Sequence, residues 1–312
     1  MQNNPNPEPF RISASGGSHT CHSVAPRGVS AWRPAWPPPC WPSGLAATPA
    51  GASVSADAAA AGGDPAKLVI VLEHGAWADA SSWNSVISRL QRRGFTVYAP
   101  PNPLRGLSGF PSSDPAYLHD FLTQNAALAG KPVVLVGHSY GGAVITNAAV
   151  GDPEVKALVY VDAFIPDQGE TLGGLLASVP GSCLGGNPAD IFNLVPYPGS
   201  PPGDVDTYIK PSLVPGCFAS GLPASQAAVI AATQRPLAAS TLSEPSGTPA
   251  WKTVPSWAVI GTADKVIPPA LLQFMAQRAK AHITRVNAGH LSLISKPGVV
   301  TQVIIKAARA TG

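Results

Sequence analysis

From about Lys67 onward, short apolar runs alternate with stretches whose apolar residues recur at helical spacing. Lys67–Leu72 (KLVIVL) is β-branched, lacks polar alternation and ends at His74-Gly75, which predicts a strand buried on both faces. Trp83, Val86, Ile87 and Leu90 fall at i, i+3, i+4 and i+7, which predicts a helix capped by Ser82 and stopped at Gly94. Phe95–Ala99 (FTVYA) reads as the next strand, Pro101–Pro115 as loop, and Tyr117–Ala129 as a helix ended by Gly130. Pro132–Val136 (PVVLV) is again a buried strand, followed at once by a glycine-rich turn and a helix over Gly142–Val150; Ala157–Val161 is a further strand.

Repeated strand–helix alternation with strands apolar throughout indicates an α/β fold, a mostly parallel sheet with helices on both faces. The rhythm lapses between Pro166 and Pro249, where Gly and Pro abound and Ala224–Thr233 is the one good helical stretch. It returns with Ser256–Ile260, a helix over Pro269–Lys280, Ile283–Val286 and a terminal helix around Val299–Arg309. A long insertion between core strands, where ligands approach such sheets, reads as a cap over roughly 166–249.

The turn after the third predicted strand carries the chemistry. Gly137-His138-Ser139-Tyr140-Gly141 matches G-x-S-x-G with a strand before and a helix after, the context in which that motif holds a strained, exposed serine. Ser139 at a helix N-terminus profits from the dipole and the free N–H groups there. A serine needs a base, and the base needs an orienting acid. In the order serine, acid, histidine, His290 lies just past the end of the Ile283–Val286 strand and faces the same edge as Ser139. His282 precedes that strand and belongs at the opposite edge. Asp264 follows the preceding strand end and is the expected acid, with Asp162, which ends an earlier strand, as its rival. Ala76 and Tyr140 are expected to give the two backbone N–H donors of an oxyanion hole. His74 and His138 read as loop anchors rather than bases. Trp77 and Phe164 are candidate pocket residues, although packing against the cap would explain Trp77 equally well.

Composition then narrows the class. The chain has 312 residues, 45% of them hydrophobic and only 12% charged, with a net charge of +3. No basic run is long enough to track phosphates, so nucleic acid is not an expected partner, and no apolar run of 18 residues is present to span a membrane. The histidines and cysteines lack metal-ligand spacing and the glycines lack nucleotide fingerprints, so no cofactor is expected; the Ser139 turn makes a small-molecule ester the expected partner. Residues 1–65 are rich in Pro, Ser, Gly and Ala without periodicity, which predicts a disordered extension or a degraded leader ahead of a hydrolase domain over 66–312. Beyond Lys67 the cysteines are Cys183 and Cys217, both in the insertion. A disulfide between them would staple the cap and indicate an oxidising, secreted or periplasmic setting; the alternative is two free thiols packed as small apolar residues.

Taken together, His74–Trp77, Gly137–Gly142, Ala163–Asp167 and His290–Pro297 resemble the α/β-hydrolase branch containing plant methyl-ester esterases, hydroxynitrile lyases and small bacterial hydrolases. The resemblance runs from about Lys67 to the C-terminus and implies the Ser139–His290–Asp264 triad, the oxyanion pair and the inserted cap. The lyases of that branch carry a hydroxyl residue where Gly75 stands and a lysine where Leu291 stands, so both departures favour ester hydrolysis. Relatives that open epoxides or cleave carbon–halogen bonds use aspartate at the position of Ser139. Lactonase or amidase activity on the same triad, and a non-catalytic ligand-binding homologue, remain the alternatives.

Overall fold

The computed structural model describes residues 68–107 and 113–312. The extension expected over residues 1–65 lies outside them. The apolar run after Lys67 forms β1 (Val69–Glu73), and the helical stretch behind it α1 (Asn84–Gln91). Asp79, not Ser82, caps this segment: its carboxylate accepts from Ser81 N–H at 2.8 Å, and a 3₁₀ turn over Ala80–Trp83 leads into α1. A carboxylate near helix N-termini both accepts an orphan donor and matches the dipole, which is why aspartate wins here. Next come β2 (Thr96–Tyr98), α2 (Asp114–Gln124), β3 (Val133–His138), α3 (Tyr140–Ala148) and β4 (Val155–Val161). α2 begins earlier than its periodicity suggests because Ser113 caps it and Pro115 occupies its first turn, where a missing N–H costs nothing.

The insertion is more ordered than its sequence indicates. It holds α4 (Leu172–Ser178), α5 (Pro188–Ile191), β5 (Phe192–Val195), β6 (Asp206–Ile209), α6 (Ala224–Ala232) and β7 (Leu237–Ala238), with β5, β6 and β7 forming a small antiparallel sheet. The core then resumes with β8 (Ser256–Gly261), α7 (Pro269–Arg278), β9 (His282–Val286), α8 (Ser292–Ser295) and α9 (Pro297–Thr311).

Among the described residues the main sheet has the order β2-β1-β3-β4-β8-β9, and every neighbouring pair is parallel. All residues of β1, β3 and β8 are buried, which is the reason their sequences are continuously apolar instead of alternating. α2 packs with α3 and α1 with α9, while α7 packs on β8 and β9. α9 buries Val300, Val303, Ile304 and Ile305, each contributing about 1.5–3 kcal/mol on leaving water. No helix among the described residues is long and apolar enough to cross a membrane. The chain leaves β1 toward β2 and leaves β3 toward β4, so strand order through the sheet reverses between β1 and β3. Ligands of open parallel sheets bind at the carboxyl ends beside such a reversal, and the loops found there begin at His74 and Ser139.

Candidate active site

β3 ends in Gly137-His138, and the chain reverses at Ser139 with φ +52° before α3 starts at Tyr140. A residue with a Cβ is strained in that conformation, so close packing must hold it. Two glycines make the packing possible. A Cβ on Gly137 would lie 2.5 Å from the Gly141 carbonyl oxygen, and one on Gly141 would lie 2.6 Å from that of Glu73. The end of β4 braces the turn on both sides: Ser139 N–H donates to Val161 O at 3.2 Å, and Phe164 N–H donates to Ser139 O at 3.1 Å.

The loops after β8 and β9 bring Asp264 and His290 to this turn. Nε2 of His290 is 2.9 Å from Ser139 Oγ, and its Nδ1 is 2.8 Å from Asp264 Oδ2. The other Asp264 oxygen accepts from Val266 N–H at 2.8 Å and Ile267 N–H at 3.0 Å, which fixes the carboxylate's orientation. Serine, histidine and aspartate are all buried. Burial pushes the His290 imidazolium down, but the charge and hydrogen bond of Asp264, helped by Asp162, outweigh it and raise its pKa above 6.5. Asp162 makes no hydrogen bond to the His290 ring; its oxygens accept from backbone N–H groups of Gly261 and Ser292.

His74 and His138 serve the surrounding loops. His74 Nε2 accepts from Asn102 N–H at 2.9 Å, leaving its Nδ1–H to donate to Gly75 O at 2.9 Å. Burial lowers its pKa to about 4, so this neutral arrangement persists at neutral pH. His138 Nε2 lies 3.0 Å from the His290 carbonyl oxygen and ties the β3 end to the histidine loop. His282 starts β9 at the opposite edge, exposed, with its ring 5.1 Å from that of Trp257. Ala76, Trp77, Tyr140 and Phe164 all join Ser139 in the wall of one small cavity of about 20 Å³.

A family model described as the alpha/beta hydrolase family matches residues 69–303, three quarters of the chain. The chain belongs to the alpha/beta hydrolase family. It is 38% identical over 111 residues to a carbendazim hydrolyzing esterase of Nocardioides sp. (strain SG-4G), a match covering 34% of this chain and 46% of that protein. The chain thus aligns with less than half the length of that relative. The alpha/beta hydrolase nvfD of Aspergillus novofumigatus (strain IBT 16806) is 26% identical over 259 residues, 78% of this chain and 97% of its own. Among solved structures, a pyrethroid hydrolase from Sphingobium faniae JZ-2 superimposes with a TM-score of 0.57 at 21% identity, covering 78% of this chain and 98% of that one. An Arabidopsis methylesterase gives a TM-score of 0.61 at 17% identity over 77% and 98% of the two chains. At these identities the superpositions speak for the fold alone.

Within this alpha/beta hydrolase the insertion supplies the far wall of the Ser139 cavity through Leu172, Leu176, Leu184, Leu237 and Leu242. Cys183 and Cys217 are joined in a disulfide with a Cα separation of 5.8 Å. The bridged loops lean on the segment that carries Asp264. Cys183 N–H donates to Lys265 O at 2.7 Å, and Ser182 Oγ donates to Val266 O at 2.7 Å. Phe218, beside Cys217, packs its ring 5.5 Å from His290 and 6.1 Å from Trp77. Trp77, at φ +56°, stacks on Phe192 and donates Nε1–H to Thr207 O at 3.0 Å, so it both lines the cavity and packs against the insertion.

Two contributors escaped sequence reasoning. Asp114 accepts the Tyr140 hydroxyl at 2.6 Å and backbone N–H groups of Arg105 and Gly106, holding the residue after Ser139 from the side. A buried aspartate at the start of a helix reads in sequence as an ordinary first-turn acid, so nothing marks it. Phe218 lies in a Pro/Gly-rich loop without periodicity, and only its neighbour Cys217 offered a hint.

Proposed function

We propose that this protein is a carboxylic ester hydrolase that works through an acyl-enzyme on Ser139. The observation that carries the reading is the continuous buried relay from Asp264 Oδ2 through His290 Nδ1 and Nε2 to Ser139 Oγ, at 2.8 and 2.9 Å. The family match and the esterase names among relatives support hydrolysis at the coarse level. In the proposed reaction Ser139 Oγ attacks the ester carbonyl carbon while its proton passes to His290 Nε2. Backbone N–H groups of Ala76 and Tyr140 receive the oxyanion, and Tyr140 opens α3, where the helix dipole adds to the stabilisation. The C–O bond to the alcohol then breaks as His290 returns the proton to the departing oxygen. Water repeats the sequence on the acyl-enzyme, releasing the acid and restoring Ser139.

The cavity wall indicates the acyl group. Its side chains beyond Ser139 and Tyr140 are aliphatic or aromatic, and none of them carries a charge. An ionised group placed there would lose its hydration without a partner, so the acyl part is uncharged and apolar. At Gly75 a Cβ would lie 2.9 Å from both His138 Nδ1 and Ser139 Cβ, which supports excluding the hydroxyl-bearing residue of the lyase branch. Lactones and amides are open to the same machinery.

The test is fluorophosphonate labelling with turnover of a neutral ester panel, in the native protein and in Ser139→Ala. The native protein should be labelled on Ser139 and should hydrolyse the esters. The variant should lose the label and most turnover, with a remainder on the order of 10³ over water from binding and the oxyanion hole. A label on another serine, or labelling with no turnover of ester, lactone or amide, would replace this reading by another nucleophile or by a binding role.

A further inference from the structure

We infer that Asp162 is a positioning residue that locks the histidine loop to the acid loop, so that His290 stays aligned between Ser139 and Asp264. The inference rests on the Ser139 reading above and adds a residue to its machinery. Asp162 is the first residue after β4, fully buried, with φ +45° in the left-handed region that a side chain enters only when its surroundings hold it there. Its own N–H donates to Val259 O at 3.0 Å, which keeps it attached to β8. Its side chain then divides its two oxygens between two loops. Oδ1 accepts from Gly261 N–H at 2.7 Å, where β8 gives way to the loop that carries Asp264. Oδ2 accepts from Ser292 N–H at 3.2 Å, two residues after His290. Val161, just before Asp162, and Phe164, two residues after it, bond the N–H and the carbonyl of Ser139. One short segment therefore touches all three loops of the relay, and the carboxylate adds a side-chain tie between the acid loop and the histidine loop, which also meet through Ala263 N–H to Ala288 O at 3.0 Å.

A turn or capping role would require only the nearest backbone donor. Bonds to residues 99 and 130 positions away in sequence exceed that requirement. The groups facing Asp162 are the carboxylate of Asp264 and the ring of His290, together with the two N–H donors. Burial, and then the charge of Asp264, raises the Asp162 pKa to about 7, while the N–H bonds and His290 oppose the rise. Its ionised form favours the imidazolium of His290. A bridging carboxylate is hard to replace. In Asp162→Asn the amide would keep one acceptor oxygen for Gly261 but turn its NH₂ toward the Ser292 N–H, setting two donors face to face.

The experiment is Asp162→Asn assayed beside native protein and Ser139→Ala, with folding checked by circular dichroism and melting. A slight displacement of catalytic groups costs on the order of 10²-fold, so kcat should fall about 10–100-fold while KM stays within about threefold. Loss of the nearby negative charge should also move the acid limb of kcat/KM to lower pH, because His290 then stays neutral further down. A merely structural aspartate would leave that limb in place. If Asp162→Asn does not fold, Asp162→Ser is read in the same way. A folded variant with kcat within twofold of native, or with an unmoved acid limb, while Ser139→Ala is inactive, overturns the inference. Full turnover by Ser139→Ala would overturn the Ser139 reading, and this inference with it.

Discussion

Replacing Asp264 by asparagine should lower kcat about 10⁴-fold, and the surrounding hydrogen bonds give the reason. Oδ1 of Asp264 accepts two backbone donors, Val266 N–H at 2.8 Å and Ile267 N–H at 3.0 Å, while Oδ2 faces His290 Nδ1 at 2.8 Å. An asparagine in this place has one acceptor oxygen. Two N–H donors claim it, so the NH₂ must occupy the position facing His290. Nδ1 then has to be the unprotonated, accepting nitrogen, and the ring proton moves to Nε2. That tautomer points a hydrogen at Ser139 Oγ and has no lone pair to take its proton. The penalty in a comparable triad is about 10⁴, or roughly 5.4 kcal/mol at 1.36 kcal/mol per decade. Flipping the amide to restore the tautomer would leave Val266 and Ile267 N–H facing an NH₂ in a buried site, which costs several kcal/mol by itself. The assay is steady-state hydrolysis of a neutral ester at about pH 8, well above the base's transition, by native, Asp264→Asn and Asp162→Asn proteins, each shown to be folded. A folded Asp264→Asn within tenfold of native kcat would refute the reasoning. Greater damage from Asp162→Asn than from Asp264→Asn would place the acid on β4 instead of β8.

In the proposed mechanism His290 must be neutral to act as base, and its pKa is raised, so kcat/KM should fall as pH drops, with the midpoint above 6.5 and full activity of the base on the alkaline side; a midpoint well below 6.5 would contradict the Asp264 contact. Reducing the Cys183–Cys217 bridge, which spans 34 residues, removes about 3–4 kcal/mol of unfolded-state restraint in the entropy model, so the melting temperature should drop. Since the bridged loops bond Lys265 O and Val266 O and press Phe218 on His290, the same reduction should lower kcat as well as raise KM. An unchanged melting temperature after complete thiol release would exclude the staple.

The core elements were legible because one physical pressure shaped them. Strands covered on both faces must be apolar at nearly every position, and VIVLE, VVLVGH and SWAVIG are all buried. The serine turn was legible for a related reason: strand, turn and helix approach within a Cβ's reach at Gly137 and Gly141, so the sequence has to show glycine at those spacings. The insertion obeys no such pressure. β7 is two residues long, β5 exposes three of its four residues, and α4 runs through two glycines. These segments are held by what they lie on, by the Cys183–Cys217 bridge and by bonds such as Trp77 Nε1–H to Thr207 O. Such partners are 34 to 130 residues apart in the chain, a distance at which local patterning carries no signal.

The two aspartates show where reading by position stops. Asp162 and Asp264 each follow a core strand on the carboxyl side of the sheet, and neither has a neighbour in sequence that tells their roles apart. The difference arises from backbone geometry. Asp162 sits at φ +45° and turns its carboxylate back to Gly261 and Ser292, where both oxygens are taken by amides. Asp264 lies three residues beyond the end of β8, accepts Val266 and Ile267 on one oxygen and keeps the other for Nδ1 of His290. A site with two buried carboxylates beside one histidine needs such a division. Were both oxygens of Asp264 occupied by amides, nothing would select the His290 tautomer that accepts from Ser139. Were Asp162 absent, the loops carrying Asp264 and His290 would still meet through backbone bonds such as Ala263 N–H to Ala288 O at 3.0 Å, but no side chain would tie Gly261 to Ser292 on the far side of His290.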